Sequence, residues 1–299
     1  MRIVMAGASG FLGTRLRRRL LEDGHEVVQL VRREPSGPDQ RRWWPDRSEL
    51  DPAVLSGVDA VVNLNGASVE DRRWTEAYKR VLRASRIDPT ATLAKTTAAL
   101  PASERPGAML NASGIHFYGD RGDDEISEQS PPGRGFFAET CQAWEAAAAP
   151  AEDAGVRVVK LRTGLTIDRD SAFMKPFLLQ FRLFAGGRLG TGRQWMPWVS
   201  MRDWLNAATM LLASDVAGPV NMVGPASVRN IEFTRVLARL LHRPALFPVP
   251  MFALKVAIGE FAEEALASLR ARPDVLTAAG FPFADADVEA ALAWALGRT

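Results

Sequence analysis

The 299-residue chain predicts a doubly wound α/β fold, a parallel sheet covered by helices on both faces, with a smaller C-terminal region. Three observations carry this expectation. Short apolar runs rich in β-branched residues recur at Arg2–Ala6, His25–Val31, Val58–Leu64, Ala108–Ala112 and Val156–Leu161. Stretches with helical spacing lie between several of them, the alternation that places helices on a parallel sheet. A glycine-rich turn joins the first run to the first helix.

The elements follow in order. Arg2–Ala6 reads as a buried first strand, and Leu12, Leu16 and Leu20 then mark a helix that Gly24 ends. The second strand is His25–Val31. The path to the third, Val58–Leu64, holds Pro35, Gly37, Pro38 and Pro45 and reads as mostly loop. Thr75–Leu100 and Phe136–Ala149 are helical stretches. An internal proline loses a backbone bond and clashes one turn back, so Pro89 is expected to kink or restart its helix, with Asp88 capping the new start. Beyond residue 165 the rhythm loosens into a Phe-rich helix near Phe173–Phe184, a glycine turn at Gly186–Gly192, a strand at Met196–Val199 and a helix through Leu212. Gly218–Val223 reads as a late strand returning to the sheet. Phe233, Val236, Leu237, Leu240 and Leu241 mark an amphipathic helix, and Val288, Ala291, Leu292 and Trp294–Leu296 a terminal one. The expected division is a nucleotide-binding unit over 1–165, rejoined by elements at 198–224, and a substrate region over 166–299 that includes a helical module at 247–299.

Composition excludes several classes. Apolar residues make 47% of the chain and charged ones 24%, which rules out disorder and fibrous repeats. Lys plus Arg exceed Asp plus Glu by only 37 to 35, and no basic block forms a nucleic-acid footprint. The lone cysteine, Cys141, allows no intrachain disulfide and suits a reducing compartment. The best apolar stretch, Phe247–Gly259, is short and contains Pro248, Pro250 and Lys255, so no membrane span is expected. A cytoplasmic protein is the expectation. Three scattered histidines and one cysteine offer no metal-ligand spacing, and no GxSxG elbow marks a hydrolase.

The first strand runs into Gly7, Ala8, Ser9, Gly10, Phe11, Leu12 and Gly13, a GxxGxxG pattern. Between a strand and a helix, such a turn lets a pyrophosphate approach backbone N–H groups at the positive end of the helix dipole, as in a Rossmann-type sheet. The end of the second strand selects the dinucleotide. An acid there takes the ribose hydroxyls of NAD, and an arginine takes the 2′-phosphate of NADP. This chain reads Val31, Arg32, Arg33, with no acid until Glu34, so NADP is expected. The bland alternative makes Arg32 and Arg33 solvated loop cations.

With these features and the segment Val61-Val62-Asn63-Leu64-Asn65-Gly66-Ala67, the chain resembles the extended short-chain dehydrogenase/reductases, and within them the atypical, sugar-nucleotide-epimerase-like subgroup. Arg73-Trp74-Thr75, Ser85-Arg86, Tyr118-Gly119-Asp120, Arg162-Thr163-Gly164 and Met196-Pro197-Trp198 share the likeness. So do Arg272-Pro273 and Ala279-Gly280-Phe281 in a short C-terminal module. The resemblance implies cofactor contacts from Leu64, Asn65, Gly66 and Arg162 as well as the glycine turn; Asn65 departs from the alanine usual there. Most superfamily members use a YxxxK pair, whose tyrosine gives a proton to the substrate oxygen. Here Phe137 stands at the tyrosine position and Cys141 at the lysine position, with Glu145 one turn further.

The chemistry implied is an NADP-dependent oxidoreductase or epimerase-like reaction on a small molecule, a nucleotide sugar or other carbonyl compound. Ser113 is expected to donate to the substrate oxygen and Arg86 to supply fixed charge. Cys141 reads as an acid or redox-responsive thiol if a neighbouring cation lowers its pKa, and equally as a buried small hydrophobe. Tyr118 and His116, in the loop after the fourth strand, can reach the same pocket. Arg188, Arg193, Trp195, Pro197 and Trp198 read either as a phosphate and ring site or as a solvated rim over core tryptophans. The rival to an enzyme is a non-catalytic NADP-binding redox sensor or scaffold.

Overall fold

A computed structural model describes residues 1–298. Strands β1 (Arg2–Ala6), β2 (Glu26–Val31), β3 (Gln40–Arg42), β4 (Ala60–Asn63) and β5 (Ala108–Gly114) join the strands Arg157–Thr163 and Gly218–Met222 in one seven-stranded sheet. Every pairing is parallel, in the order Gly218–Met222, Arg157–Thr163, β5, β4, β1, β2, β3. The doubly wound sheet expected from the alternating pattern is therefore present.

Side chains alternate across a strand, and the two faces of this sheet make two cores. Ile3 and Met5 pack with Leu16 and Leu20 of helix α1 (Phe11–Glu22) and with Trp204 of the helix Met201–Ala213. Their neighbours Val4 and Ala6 pack on the other face with Leu93 and Ala94 of helix α2 (Glu76–Ala99).

Two local expectations are corrected. Helix α2 does not restart at Pro89 but continues from Glu76 to Ala99 with the proline inside it, and its cap is Thr75, not Asp88. Long packed segments flank the proline, anchored by Leu82 on one side and Leu93 and Ala94 on the other, while the Thr90 and Thr92 hydroxyls each bond a carbonyl one turn back at 2.8 Å. The supposed loop after β2 contains β3, whose Gln40, Arg41 and Arg42 pair with Gln29, Leu30 and Val31. A charged three-residue edge strand has no apolar run to announce it.

Beyond Thr163 the chain crosses into a second region, returns for Gly218–Met222 at the sheet edge, and leaves again. Helices Met174–Arg182, Asn230–Leu241 and Val288–Ala295 meet there around Phe177, Phe181, Trp198, Phe233, Leu237 and Leu292. Residues between these last two helices also reach the sheet, where Leu276 and Phe281 pack on the α1 face. No helix among the described residues is long and apolar enough to cross a membrane.

Candidate active site

The glycine turn is set by backbone contacts. Gly7 has φ +77°, and a Cβ there would lie 2.6 Å from the carbonyl carbon and oxygen of Leu64. A Cβ on Gly13 would lie 2.1 Å from the Gly7 oxygen, so α1 can approach β1 this closely only with glycine present. Gly10 caps α1 with no side-chain acceptor on its N–H groups and no acid in the first turn. Ser9 and Gly10 are exposed, so the dipole end faces outward unshielded. Phe11 carries the Arg15 guanidinium over its ring at 4.1 Å, and Arg15 is held by Asp168 at 3.1 Å. Leu12 turns towards a cleft.

At the end of β2, Arg32 is exposed and, among the described residues, its side chain has no hydrogen-bond or ion-pair partner. Arg33 bonds the Glu34 carbonyl at 3.0 Å and Ser36 Oγ at 3.1 Å. Glu34 itself pairs with Arg42. A cation, not a carboxylate, is thus free at the end of β2.

The cleft, about 830 Å³, opens at the C-terminal ends of the strands. Leu12, Leu64, Asn65 and Gly66 line it together with Arg86, Ser113 and Cys141. Asn65 turns its amide back to Asn63 Oδ1 at 2.8 Å, and Asn63 in turn donates to Asn111 and Thr90 at 2.7 and 2.8 Å. Beneath Gly66, Arg86 donates to the Leu82 and Ala67 carbonyls at 2.9 and 3.1 Å, 5.3 Å from the Trp144 ring centre. Its charge is fixed in place by backbone.

Beneath the cleft lies a buried polar chain. Ser113 and Arg162 are partners across adjacent parallel strands and point to the same side. Glu145, on helix α3 (Phe136–Ala146), lies within reach of both. Ser113 Oγ donates to Glu145 Oε1 at 2.7 Å, and Arg162 donates to both carboxylate oxygens at 2.8 Å each. Arg162 also donates to the Tyr118 hydroxyl at 2.8 Å, which donates to Asn221 at 2.8 Å. Serine has one proton; directed at Glu145, it leaves the Ser113 oxygen as an acceptor.

Several expected residues are placed elsewhere. Tyr118 is fully buried and does not line the cleft, and burial pushes its phenol up to about 12. Arg162 is also off the cleft; its guanidinium is taken by the Glu145 carboxylate of α3 and lies 3.5 Å from the Phe117 ring centre. Cys141 does line the cleft, but burial pushes its thiol up to about 12 and outweighs the downward pull of Arg86 and Arg162. His116, lining the cleft, has its pKa lowered by burial, with Nε2 3.3 Å from the Glu264 carbonyl oxygen. Trp195 and Pro197 line the cleft, whereas Trp198 is core, and Arg188 and Arg193 are exposed and off the cleft. Phe137 packs edge-on against Trp74 at 4.8 Å.

Glu145 is the residue whose role sequence reasoning missed. Its spacing was visible, since Phe137, Cys141 and Glu145 fall at i, i+4 and i+8 on one helix face. Its link to Ser113 and Arg162 depends on strand register.

A doubly wound sheet whose glycine turn opens onto a cleft at the strand ends defines a nucleotide-binding α/β protein. The chain belongs to the NAD dependent epimerase/dehydratase family, whose sequence profile matches residues 3–224. Residues 249–295 match a domain of unknown function, DUF1731. An epimerase family protein of Mycobacterium bovis is 39% identical over 298 residues, 99% of this chain and 98% of that protein. The human epimerase family protein SDR39U1 (isoform 2), crystallised with NADPH, superposes with a TM-score of 0.91 at 32% identity, across 100% of both chains. A nucleoside-diphosphate sugar epimerase of Corynebacterium glutamicum superposes at 0.81 with 33% identity, covering 99% of this chain and 58% of that one.

Proposed function

We propose that this chain is an NADP-dependent oxidoreductase or epimerase-like enzyme acting on a small carbonyl or alcohol substrate. One observation carries the proposal: Leu12 of the glycine turn, whose helix end is uncapped, and Ser113, bonded to Glu145 beneath it, line the same cleft. The likeness to a human protein crystallised with NADPH supports the choice of cofactor. The turn from Gly7 to Gly13, with Ser9, Gly10, Phe11 and Leu12, holds the pyrophosphate on backbone N–H groups. Arg32, with Arg33 beside it, holds the 2′-phosphate, and Leu64, Asn65 and Gly66 flank the cofactor along the cleft. When bound, the nicotinamide supplies or accepts a hydride.

The remaining work falls to side chains. Ser113 accepts a hydrogen bond from a substrate hydroxyl and relays the proton towards Glu145; in the reverse direction it returns that proton to the oxygen. Arg86 holds positive charge beside the cleft without moving. Arg162 and Tyr118 are positioning residues that fix the Glu145 carboxylate. Cys141 stays a neutral thiol at ordinary pH. The second reading, a redox sensor or scaffold that binds NADP without turnover, is favoured by one observation: Phe137 and Cys141 offer neither an exchangeable phenol nor a fixed charge at the positions where relatives of the resembled class keep them.

The test is NADPH oxidation with a panel of carbonyl compounds. Loss of a hydrogen-bonding group at a developing oxyanion costs ~2.7 to 4 kcal/mol, so Ser113→Ala is expected to slow turnover about a hundredfold or more while NADPH affinity stays the same. Turnover that survives Ser113→Ala overturns the role given to Ser113. Tight NADPH binding with no turnover on any compound favours the sensor.

A further inference from the structure

Resting on the proposed reading of the cleft as an NADP-dependent active site, its second-region wall identifies what kind of substrate fits. That wall is built by Phe173, Phe177, Leu189, Leu254, Phe261 and Leu266, from four separated stretches of chain. A nucleotide sugar brings a diphosphate, which calls for desolvated arginines or a second backbone nest. The charge balance does not provide one. Three acids, Glu70, Asp71 and Glu264, line the cleft beside three arginines, Arg72, Arg73 and Arg86, so it carries no excess positive charge. Arg86 is held by the Leu82 and Ala67 carbonyls, and Arg73 donates to the Val256 carbonyl. The two arginines of the second region best placed in sequence, Arg188 and Arg193, lie off the cleft altogether.

The polar groups in this wall are few, and most are committed to the protein. Asn230 Oδ1 accepts from the Leu189 N–H at 2.8 Å, and Gln194 donates to the Leu189 carbonyl at 3.1 Å. Gln180 is different. It lines the cleft, and its Oε1 is buried without a hydrogen-bond partner among the described residues. A buried acceptor left unpaired is costly, and a ligand that brings one donor relieves it.

We infer that the substrate is an uncharged, largely apolar ketone or secondary alcohol, with its reacting oxygen at Ser113 and a second hydroxyl for Gln180. The Phe137 ring at the cleft lip, packed on Trp74 and 6.4 Å from the Phe261 ring centre, extends the same apolar wall where a phenol is absent. A nucleotide sugar is excluded by this reading.

The experiment titrates the full chain with 2-alkanones of increasing length, with hydroxy-2-alkanones and with UDP-glucose, each with and without saturating NADPH, by calorimetry. Affinity is expected to rise about fourfold per added methylene until the cleft is filled, as burial of ~0.8 kcal/mol per methylene implies, and UDP-glucose is expected not to bind. A hydroxy-2-alkanone is expected to bind several-fold better than its parent, and Gln180→Leu to erase that preference without changing NADPH affinity. Leu254→Lys, on the half-buried rim, is expected to weaken alkanone binding tenfold or more and again to spare NADPH. Affinity that does not depend on chain length, or UDP-glucose binding tighter than any alkanone, overturns the inference. Failure of NADPH to bind defeats the proposed cofactor reading instead, and the series run without nucleotide then decides the ligand class by itself.

Discussion

The two ends of the cleft are made in different ways. At the glycine end, the turn from Gly7 to Gly13 leads into an uncapped helix start, and the side chains matter mainly by being absent at Gly7 and Gly13. At the other end, side chains from Phe173 to Leu266 converge through packing of the second region. The first kind of site depends on conformation at single positions, and the second on volume and polarity summed over many. Substitutions should therefore be abrupt in effect at one end and graded at the other.

The largest effect is expected at the junction between them. Glu145→Gln leaves the Arg162 guanidinium buried with no counter-charge, which costs ~3 to 5 kcal/mol, and urea unfolding should show that loss. A change below about 1 kcal/mol would mean that the two ends do not share this support. Next comes Gly7→Ala, which forces a Cβ against the Leu64 carbonyl at φ +77°. Strain of this kind costs ~1 to 3 kcal/mol, and NADPH affinity should fall with it. Leu254→Ala, at the opposite end, should leave NADPH affinity alone; an equal loss from both variants would erase the contrast. Arg32→Ala removes a charge-assisted contact of ~1.5 to 3 kcal/mol and should weaken NADPH about tenfold or more, with NADH little changed. Equal affinity for the two cofactors in the unaltered chain would refute the role of Arg32.

The smallest effect near neutral pH is a proton linkage. Burial raises Cys141 from 9.0 to about 12 and Tyr118 from 10.0 to about 12. The folded chain keeps protons that the unfolded chain releases, so their contribution is complete below about pH 9 and is lost as pH rises towards 12. His116 works in the opposite sense. Its folded pKa is lowered by burial, so its contribution holds above the ordinary 6.5 and declines as pH falls below it. Denaturant midpoints measured across this range check both signs, and Cys141→Ser should flatten the alkaline limb.

This contrast also explains what was legible in the sequence. β1, the glycine turn and α1 were readable because a contiguous pattern specifies them: β-branched residues, three glycines, then leucines at helical spacing. Ser113, Arg86 and Cys141 were expected at the pocket from the family resemblance, and all three line the cleft. Arg162 and Tyr118 lie off the cleft, bonded to each other and to Glu145 and Asn221, partners distant in sequence that no local motif announces. Arg162 lies opposite Ser113, and a carboxylate from a distant helix claims it. β3 was missed because an edge strand does not require apolar residues. The restart expected at Pro89 does not occur, because packed segments on both sides hold one helix across it.

The outer position of the Gly218–Met222 strand has a consequence for how the molecule is made. Its partner, Arg157–Thr163, is synthesised about 55 residues earlier, and at ~5–20 residues per second a nascent chain carries that edge uncovered for several seconds. In that interval the Arg157–Thr163 edge presents unpaired backbone groups, open to any other extended segment in reach. Release of the α1 face from water comes later still, with Leu276 and Phe281. The sheet's alternation is local, but the covering of its edge and of its α1 face waits for segments made long after the strands they cover.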